Sequence, residues 1–224
     1  RHITKSRRLR LGDSFLIQDQ QGNRFEAILK NFDRNSLLFI LQKTVVIPPT
    51  SSLRIEIIQA LPKQKALDFI LQKTTELGIS HLNVFCGMHS PKIFRISEKQ
   101  HHLERWQRIV TEASKQCERQ FPPEIHFHPD ISASLETLSK CPNSWMLVPE
   151  SADAISWKKL KNSGDDLINH HRVLIGPEGG FHQDEIKMAL RSGIRTVNLG
   201  PRILRSETAA ITAVSILQFL WGDL

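Results

Sequence analysis

The chain has 224 residues, 40% of them hydrophobic and 24% charged, which is enough to bury one full domain core plus a smaller one and excludes disordered and collagen-like classes. No apolar run approaches the roughly 18 to 20 residues that span a bilayer, and no charged-then-apolar leader opens the sequence, so the reading is a cytosolic protein. Thirty Lys plus Arg against 23 Asp plus Glu leave a net charge of +7, compatible with a polyanion partner. The excess is concentrated at the start, where Arg1, Lys5, Arg7, Arg8 and Arg10 precede the first acid, Asp13, and look like a phosphate-facing edge. The three cysteines, Cys86, Cys117 and Cys141, are odd in number and widely spaced, so they read as buried small apolar residues, neither a disulfide framework nor a metal site.

Residues 14–59 alternate short β-type runs with turn residues: 14–18, the Gln21-Gly22-Asn23 turn, 24–29, a turn over 31–35, and 37–41. A small β barrel or sandwich fits. After Pro48-Pro49-Thr50-Ser51-Ser52, the residues Leu53, Ile55, Ile57 and Ile58 form one more strand-like run before Pro62. From Lys65 to Leu77 the spacing of Leu67, Ile70, Leu71 and Leu77 predicts a helix that Gly78 caps. A strand at 82–86 and a basic loop (His89, Lys92, Arg95) precede a long helix opened by Ser97, with Gln100 as its capping-box partner and Leu103, Trp106, Val110, Ala113 and Cys117 on its inner face. Beyond Pro122-Pro123 come a strand at 124–127, a short helix at 134–140, a strand at 144–148 and a charged helix-loop segment over 153–170. This alternation from residue 65 onward predicts an α/β domain with a mostly parallel sheet. The first 60 residues do not share it, which places a boundary near residues 60–62 and gives two domains, 1–60 and 61–224.

Two glycine-bearing runs close the chain: residues 173–181 (VLIGPEGGF) and 197–210 (VNLGPRILRSETAA). Each reads as an apolar strand that stops at a Gly-Pro turn and hands over to a helix, where open α/β folds build ligand sites. In the first, Pro177 fixes φ while the glycines allow bare backbone to approach a ligand, and Asp184 and Glu185 charge the first turn of a helix that Ser192-Gly193 closes. In the second, Arg202 and Arg205 precede a helix that starts at Ser206-Glu207 and runs through Ile211, Val214, Leu217 and Leu220. Neither GxGxxG after a strand nor GxxxxGK[ST] occurs, HExxH and GxSxG are missing, and the ten histidines show no convincing ligand spacing, so nucleotide hydrolysis, metal binding and serine hydrolysis are not indicated.

The paired closing motifs resemble the C-terminal signature of the RsmE-type 16S ribosomal RNA uridine-N3 methyltransferases of the SPOUT superfamily. The resemblance extends to residues 1–13 (RHITKSRRLRLGD), 61–79 (LPKQKALDFILQKTTELGI) and 113–119 (ASKQCER), and so covers essentially the whole chain. It implies a small PUA-like, RNA-binding N-terminal barrel and a SPOUT-type domain whose C-terminal segment forms a trefoil knot around S-adenosyl-L-methionine. It also implies a homodimer, with the apolar helix over 211–221 a contributor to the interface, and 16S ribosomal RNA or the small subunit as partner. It further implies that the family's N-terminal region extends beyond Arg1.

Carried over by the resemblance, Leu147, Val148 and Pro149, then Ile175, Gly176, Pro177, Glu178 and Gly179, then Leu199, Gly200, Ile203, Leu204 and Thr208 hold the cofactor. Arg205 is the first candidate for stabilising the deprotonated uracil, with Glu207 orienting it or taking the proton. Lys5, Arg7, Arg8, Arg10 and Arg119 are the candidate RNA contacts. Ser6, Arg7 and Lys115 depart from the family pattern and add polarity or positive charge. Two alternatives stay open: a SPOUT methyltransferase with another target atom, and a non-catalytic RNA-binding protein of ribosome assembly.

Overall fold

Phe15 and Ile17, then Ala27 and Leu29, recur at two-residue spacing, the period of strands that cover a core on one face. In a computed structural model that describes residues 9–33, 36–46, 51–92, 98–137, 141–149, 155–157 and 169–224, this stretch forms β1 (Ser14–Gln18), β2 (Arg24–Phe32) and β3 (Leu37–Val45). They make an antiparallel sheet in the order β1-β2-β3. The β1–β2 turn is held by Asp19, whose carboxylate accepts from the Gln21 and Asn23 amides at 2.9 Å each, and Gly22 supplies the positive φ of 84°. Phe15, Ala27 and Leu29 form its small core, with Leu9, Ile17 and Leu37 against it.

The chain divides into two compact units, Arg1–Thr50 and Ser51–Leu224. The second contains a seven-stranded sheet in the order β6-β5-β4-β9-β7-β10-β8, every neighbouring pair parallel. Its strands are β4 (Arg54–Ala60), β5 (His81–Phe85), β6 (Glu124–His128), β7 (Asn143–Leu147), β8 (Ile155–Ser156), β9 (His170–Ile175) and β10 (Arg195–Asn198). This corrects the expected boundary. The apolar run at 53–58 leads into β4, which pairs with β5 on one side and β9 on the other, in the interior of the larger sheet. Alternation identifies a strand but not the sheet that recruits it. The sign was in the sequence nonetheless: Ile57 and Ile58 are adjacent and both fully buried, as a strand covered on two faces requires.

Strand register carries this two-sidedness across the sheet. Ile57 lies level with Val173 and Val173 with Trp145, while Ile58 lies level with Leu174 and Leu174 with Met146. The first row belongs to a core shared with α1 (Gln64–Glu76), α2 (Lys99–Gln116) and α5 (Ser206–Trp221), through Leu67, Ile70, Trp106, Val110, Val214 and Leu217. The second belongs to a smaller core completed by Ile131 of α3 (Ile131–Glu136) and Ala189 of α4 (Gln183–Arg191). Helices thus cover both faces.

Several local expectations shift. Helix α2 starts at Lys99 after Glu98; Ser97 lies outside the described residues, and the Gln100 amide donates to Glu104 at 3.1 Å. Helix α3 begins three residues earlier than expected because Asp130 caps it, accepting from the Ala133 amide at 2.8 Å. Within the segment read as charged helix-loop, Ile155–Ser156 adds the edge strand β8 beside β10. The three cysteines are free and only half-buried.

Arg119, a candidate RNA contact, also serves the fold: its Nη1 donates to the Thr75 carbonyl at 2.8 Å, which accepts from the Gly78 amide at 3.1 Å as well, and Gln218 Nε2 donates to the Leu77 carbonyl at 2.8 Å, so both side chains bind carbonyls at the end of α1. Gly78, with φ of 90°, closes that helix as expected.

A buried polar network crosses the sheet. Glu56 of β4 accepts from Arg172 Nε at 2.9 Å and from Asn83 Nδ2 at 2.7 Å, and Asn83 Oδ1 meets His128 Nε2 at 3.0 Å. Burial opposes charge on Glu56, but His170 and Arg172 outweigh it and hold the carboxyl down to about 2. Contact with Cys141, then with Glu56, pushes His170 up to about 9. Burial, reinforced by the charges of His170 and Arg195, pushes the neighbouring His171 down to about 4, and its ring stacks on Trp221 at 4.5 Å between centroids.

Candidate functional site

The order of strands places the site. The chain lays down β4, β5 and β6 toward one edge, then crosses to β7 and returns to insert β9 beside β4. Ligand sites of parallel sheets form at such reversals, beyond the carboxyl ends of the strands. Here the loops leaving β7, β9 and β10 and the starts of α4 and α5 enclose a cavity of about 810 Å³.

Each wall has a local cause. Leu147, Val148 and Pro149 leave β7, with the Val148 amide donating to the Val197 carbonyl at 3.1 Å and tying this wall to β10. After β9, Ile175 to Phe181 turn sharply: the Gly180 amide donates to the Pro177 carbonyl at 3.0 Å, and Gly180 takes φ of 71°. Gly176 needs its missing side chain because a Cβ there would lie 3.3 Å from the Phe181 ring. After β10, the Gly200 amide donates to Asn198 Oδ1 at 3.2 Å with φ of 100°, and Leu199, Arg202, Ile203, Leu204 and Arg205 continue the wall.

Of the residues expected to hold a cofactor, all but Thr208 line the cavity. Ser206 and Ala209, one helical turn apart, are the α5 positions that face it; Thr208 is exposed, and Glu207 lies in the same first turn but off the wall. Arg205 is on the wall and exposed, as is Arg202, and neither makes an ion pair among the described residues. Lys5, Arg7 and Arg8 lie outside the described residues; Arg10, in the first unit, is exposed, its amide donating to Asp13 at 2.7 Å.

The sequence reading missed a fourth wall. Gln183, Ile186 and Leu190 of α4 line the cavity at helical spacing, a stripe that the sequence alone presents as ordinary packing. It also missed how the Gly-rich loop is anchored. Glu178 accepts from the Lys63 amide at 3.0 Å, at the start of α1. Glu185, 1% exposed, accepts from the Met88 amide at 3.0 Å and the His182 amide at 2.8 Å, while His182 caps α4 by accepting from the Asp184 amide at 3.2 Å. His89 Nδ1 lies 3.2 Å from the Gly180 carbonyl. The loop after β5 is therefore fastened to the loop after β9.

A doubly covered parallel sheet with a multi-loop cavity at its carboxyl edge is the architecture of an RNA methyltransferase domain, and the family model of that description matches residues 49–218. Ribosomal RNA small subunit methyltransferase E of Buchnera aphidicola subsp. Schizaphis graminum is 30% identical over 227 residues, spanning 100% of this chain and 88% of the relative. The solved structure of the Neisseria gonorrhoeae protein of that name, bound to S-adenosyl methionine, superimposes with a TM-score of 0.85 at 25% identity, covering 100% of this chain and 90% of that one. A Legionella pneumophila protein in complex with the bound cofactor SAM gives a TM-score of 0.89 at 26% identity over 100% and 89% of the two chains. The chain belongs to the ribosomal RNA small subunit methyltransferase E family.

Proposed function

We propose that the protein is an S-adenosyl-L-methionine-dependent methyltransferase that modifies N3 of one uridine in the 16S ribosomal RNA of the small subunit. The observation that carries the reading is the cavity: apolar side chains of Leu147, Ile186, Leu199 and Leu204 stand beside backbone left bare at Gly176 and Gly200. Flat apolar walls suit an adenine ring, and the close approach of backbone that the glycines permit suits its polar edge and the ribose, so the residues present fit the cofactor. When bound it supplies an activated methyl group on a sulfonium.

The chain's own residues have two tasks, to aim the base and to ease loss of its proton. Uracil N3 carries a proton at neutral pH and becomes a good nucleophile only as that proton leaves. Arg205, exposed on the cavity wall, is placed to stabilise the negative charge that then develops on the uracil oxygens. Alignment of N3 with the methyl group contributes further, since near-attack geometry is worth roughly 7 to 11 kcal/mol. With Glu207 off the wall, the N3 proton is released to solvent water. Arg202 and Arg10 are proposed to meet phosphates, with Lys5, Arg7 and Arg8 carried only by the sequence resemblance.

A PUA-like N-terminal unit, a C-terminal trefoil knot and a homodimer belong to the same reading, supported by the family membership. Packing of α5 against α1, β4 and β9 is consistent with a C-terminal segment tucked into the fold. The ribosomal RNA substrate puts the reaction in the cytoplasm. Primer extension on small-subunit RNA treated with the protein and cofactor tests the proposal, because a methyl on N3 blocks the pairing edge and stops the polymerase at one uridine. Methylation of a ribose or another base would replace the target atom; cofactor binding without any transfer to ribosomal RNA would favour an assembly role.

A further inference from the structure

Position 59 breaks the pattern of β4. Leu53, Ile55 and Ile57 alternate into the larger core, and the next residue on that face is Gln59, fully buried. An apolar side chain would complete the stripe. Instead the Gln59 amide Nε2 lies 2.8 Å from the Ala60 carbonyl, 3.0 Å from Ser206 Oγ and 3.3 Å from the Gly176 carbonyl. Ser206 Oγ in turn donates to the Gly176 carbonyl at 2.7 Å. Taken by the shortest contacts, Gln59 gives one hydrogen to Ala60 and one to Ser206, with the Gly176 and Ile175 carbonyls farther off at 3.3 and 3.4 Å, and Ser206 gives its own to Gly176. Gln59 Oε1 is buried without a partner among the described residues, so the side chain leaves one acceptor unpaired to keep its amino group on this chain of oxygens.

The three groups belong to three elements. Gly176 begins the loop after β9, Ser206 begins α5 directly after Arg205, and Gln59 is the penultimate residue of the interior strand β4; Gly176 and Ser206 both line the cavity. Arg205 itself is the N-cap of α5 and makes no side-chain capping bond. Nothing in its own side chain fixes it. The hydroxyl one residue on, 5% exposed, is what ties this helix start to the Gly-rich loop.

We infer that Ser206 and Gln59 are positioning residues of the methyl-transfer reaction: their hydrogen-bond relay holds the Gly176 loop and the Arg205-bearing start of α5 in register around the cofactor. The inference rests on the cofactor reading of the cavity given above. Ser206 makes the tie to Gly176 directly and Gln59 orients its hydroxyl, so once Ser206 is removed Gln59 has nothing left to orient and the two effects do not add.

A double-mutant cycle in the full chain tests this. Cofactor affinity is measured by calorimetry, and KM and kcat on small-subunit RNA are measured alongside, for wild type, Ser206→Ala, Gln59→Met and the pair. Each single variant is expected to weaken cofactor binding about 3- to 10-fold, the effect of one hydrogen bond, with the double variant no worse than the poorer single. A fall in kcat with little change in the KM for RNA is expected beside it, as Arg205 loses its register. Unchanged affinity in Ser206→Ala, or effects that simply multiply in the double variant, would overturn the relay while leaving the cofactor reading intact. Should Gln59→Met not fold, Ser206→Ala decides alone, since it removes a single oxygen. Absence of cofactor binding by the wild type would instead remove the reading on which the relay stands.

Discussion

Arg205 and Gly200 show how much single residues of one loop ask of the chain. Arg205 is exposed on the cavity wall without an ion pair among the described residues, so its charge is available to a substrate. Arg205→Ala is expected to lower kcat about 100-fold, the scale of losing one donor to developing charge, with calorimetric cofactor affinity unchanged. Glu207→Gln, off the wall, is expected to retain wild-type turnover in the same assay; a comparable loss there would return Glu207 to the chemistry. Gly200 and Gly176 separate two kinds of glycine. At Gly200 a Cβ would meet nothing within 4 Å, but φ is +100°, so Gly200→Ala is expected to cost about 1 to 2 kcal/mol of stability through backbone strain and to lower the melting temperature by several degrees. At Gly176 the backbone is ordinary and the obstacle is the Phe181 ring, 3.3 Å from the added methyl. Gly176→Ala is therefore expected to melt near wild type and to bind cofactor more weakly.

Among elements, the pairing of β4 with β9 sets the response to pH. Glu56 and Arg172 are each 6% exposed and paired at 2.8 Å. Glu56→Gln removes the carboxylate charge paired with the buried Arg172 guanidinium and is expected to lower the melting temperature, since breaking a buried pair costs up to about 3 to 5 kcal/mol. The titration of the network has a definite sign. Glu56 is depressed from 4.5 to about 2, so its contribution is present above 4.5 and lost as pH falls through 2. His171, depressed from 6.5 to about 4, contributes above 6.5 and loses that contribution as pH falls through 4. His170, raised from 6.5 to about 9, contributes below 6.5 and loses that as pH rises through 9. Melting temperature is expected to peak near pH 6.5 and fall on both sides, and His170→Gln is expected to flatten the alkaline limb and, because His170 helps to depress both Glu56 and His171, to make the acid limb shallower as well. The walls of the cavity were legible element by element because each is an apolar run ended by a Gly-Pro or Pro turn, a signal carried by neighbouring residues. The α4 wall was not, since Gln183, Ile186 and Leu190 at helical spacing mark an inward face without saying whether protein or ligand covers it. The places of Thr208 and Glu207 off the wall were not legible for the converse reason: a motif read as a string gives no helical angle, and of the first turn of α5 it is positions 206 and 209 that line the cavity.

At the scale of the whole molecule, the division at Thr50/Ser51 differs from the one legible in the sequence by about ten residues, and those residues carry β4, an interior strand of the larger sheet. A strand's alternation is a local property, whereas membership in a sheet is decided by partners such as His81–Phe85 and His170–Ile175, distant in sequence. The difference has a measurable consequence. A chain beginning at Ser51 keeps β4, with Ile55, Ile57 and Ile58 fully buried on both faces, together with Gln59 and every residue that lines the cavity. One beginning at Leu61 deletes β4, parts β5 from β9 and exposes the flanks of both. The Ser51 form is expected to unfold cooperatively and to bind cofactor with near wild-type affinity, and the Leu61 form to show neither. The Ser51 form also lacks the basic opening residues, including Arg10. If these face phosphates, it should bind RNA more weakly and with a shallower dependence on salt, by about 0.7 in log–log slope for each phosphate of a single-stranded RNA that it no longer neutralises. Equal salt slopes for the whole chain and the Ser51 form would move the RNA-binding charge onto the larger unit, where Arg202 and Arg205 stand at the cavity.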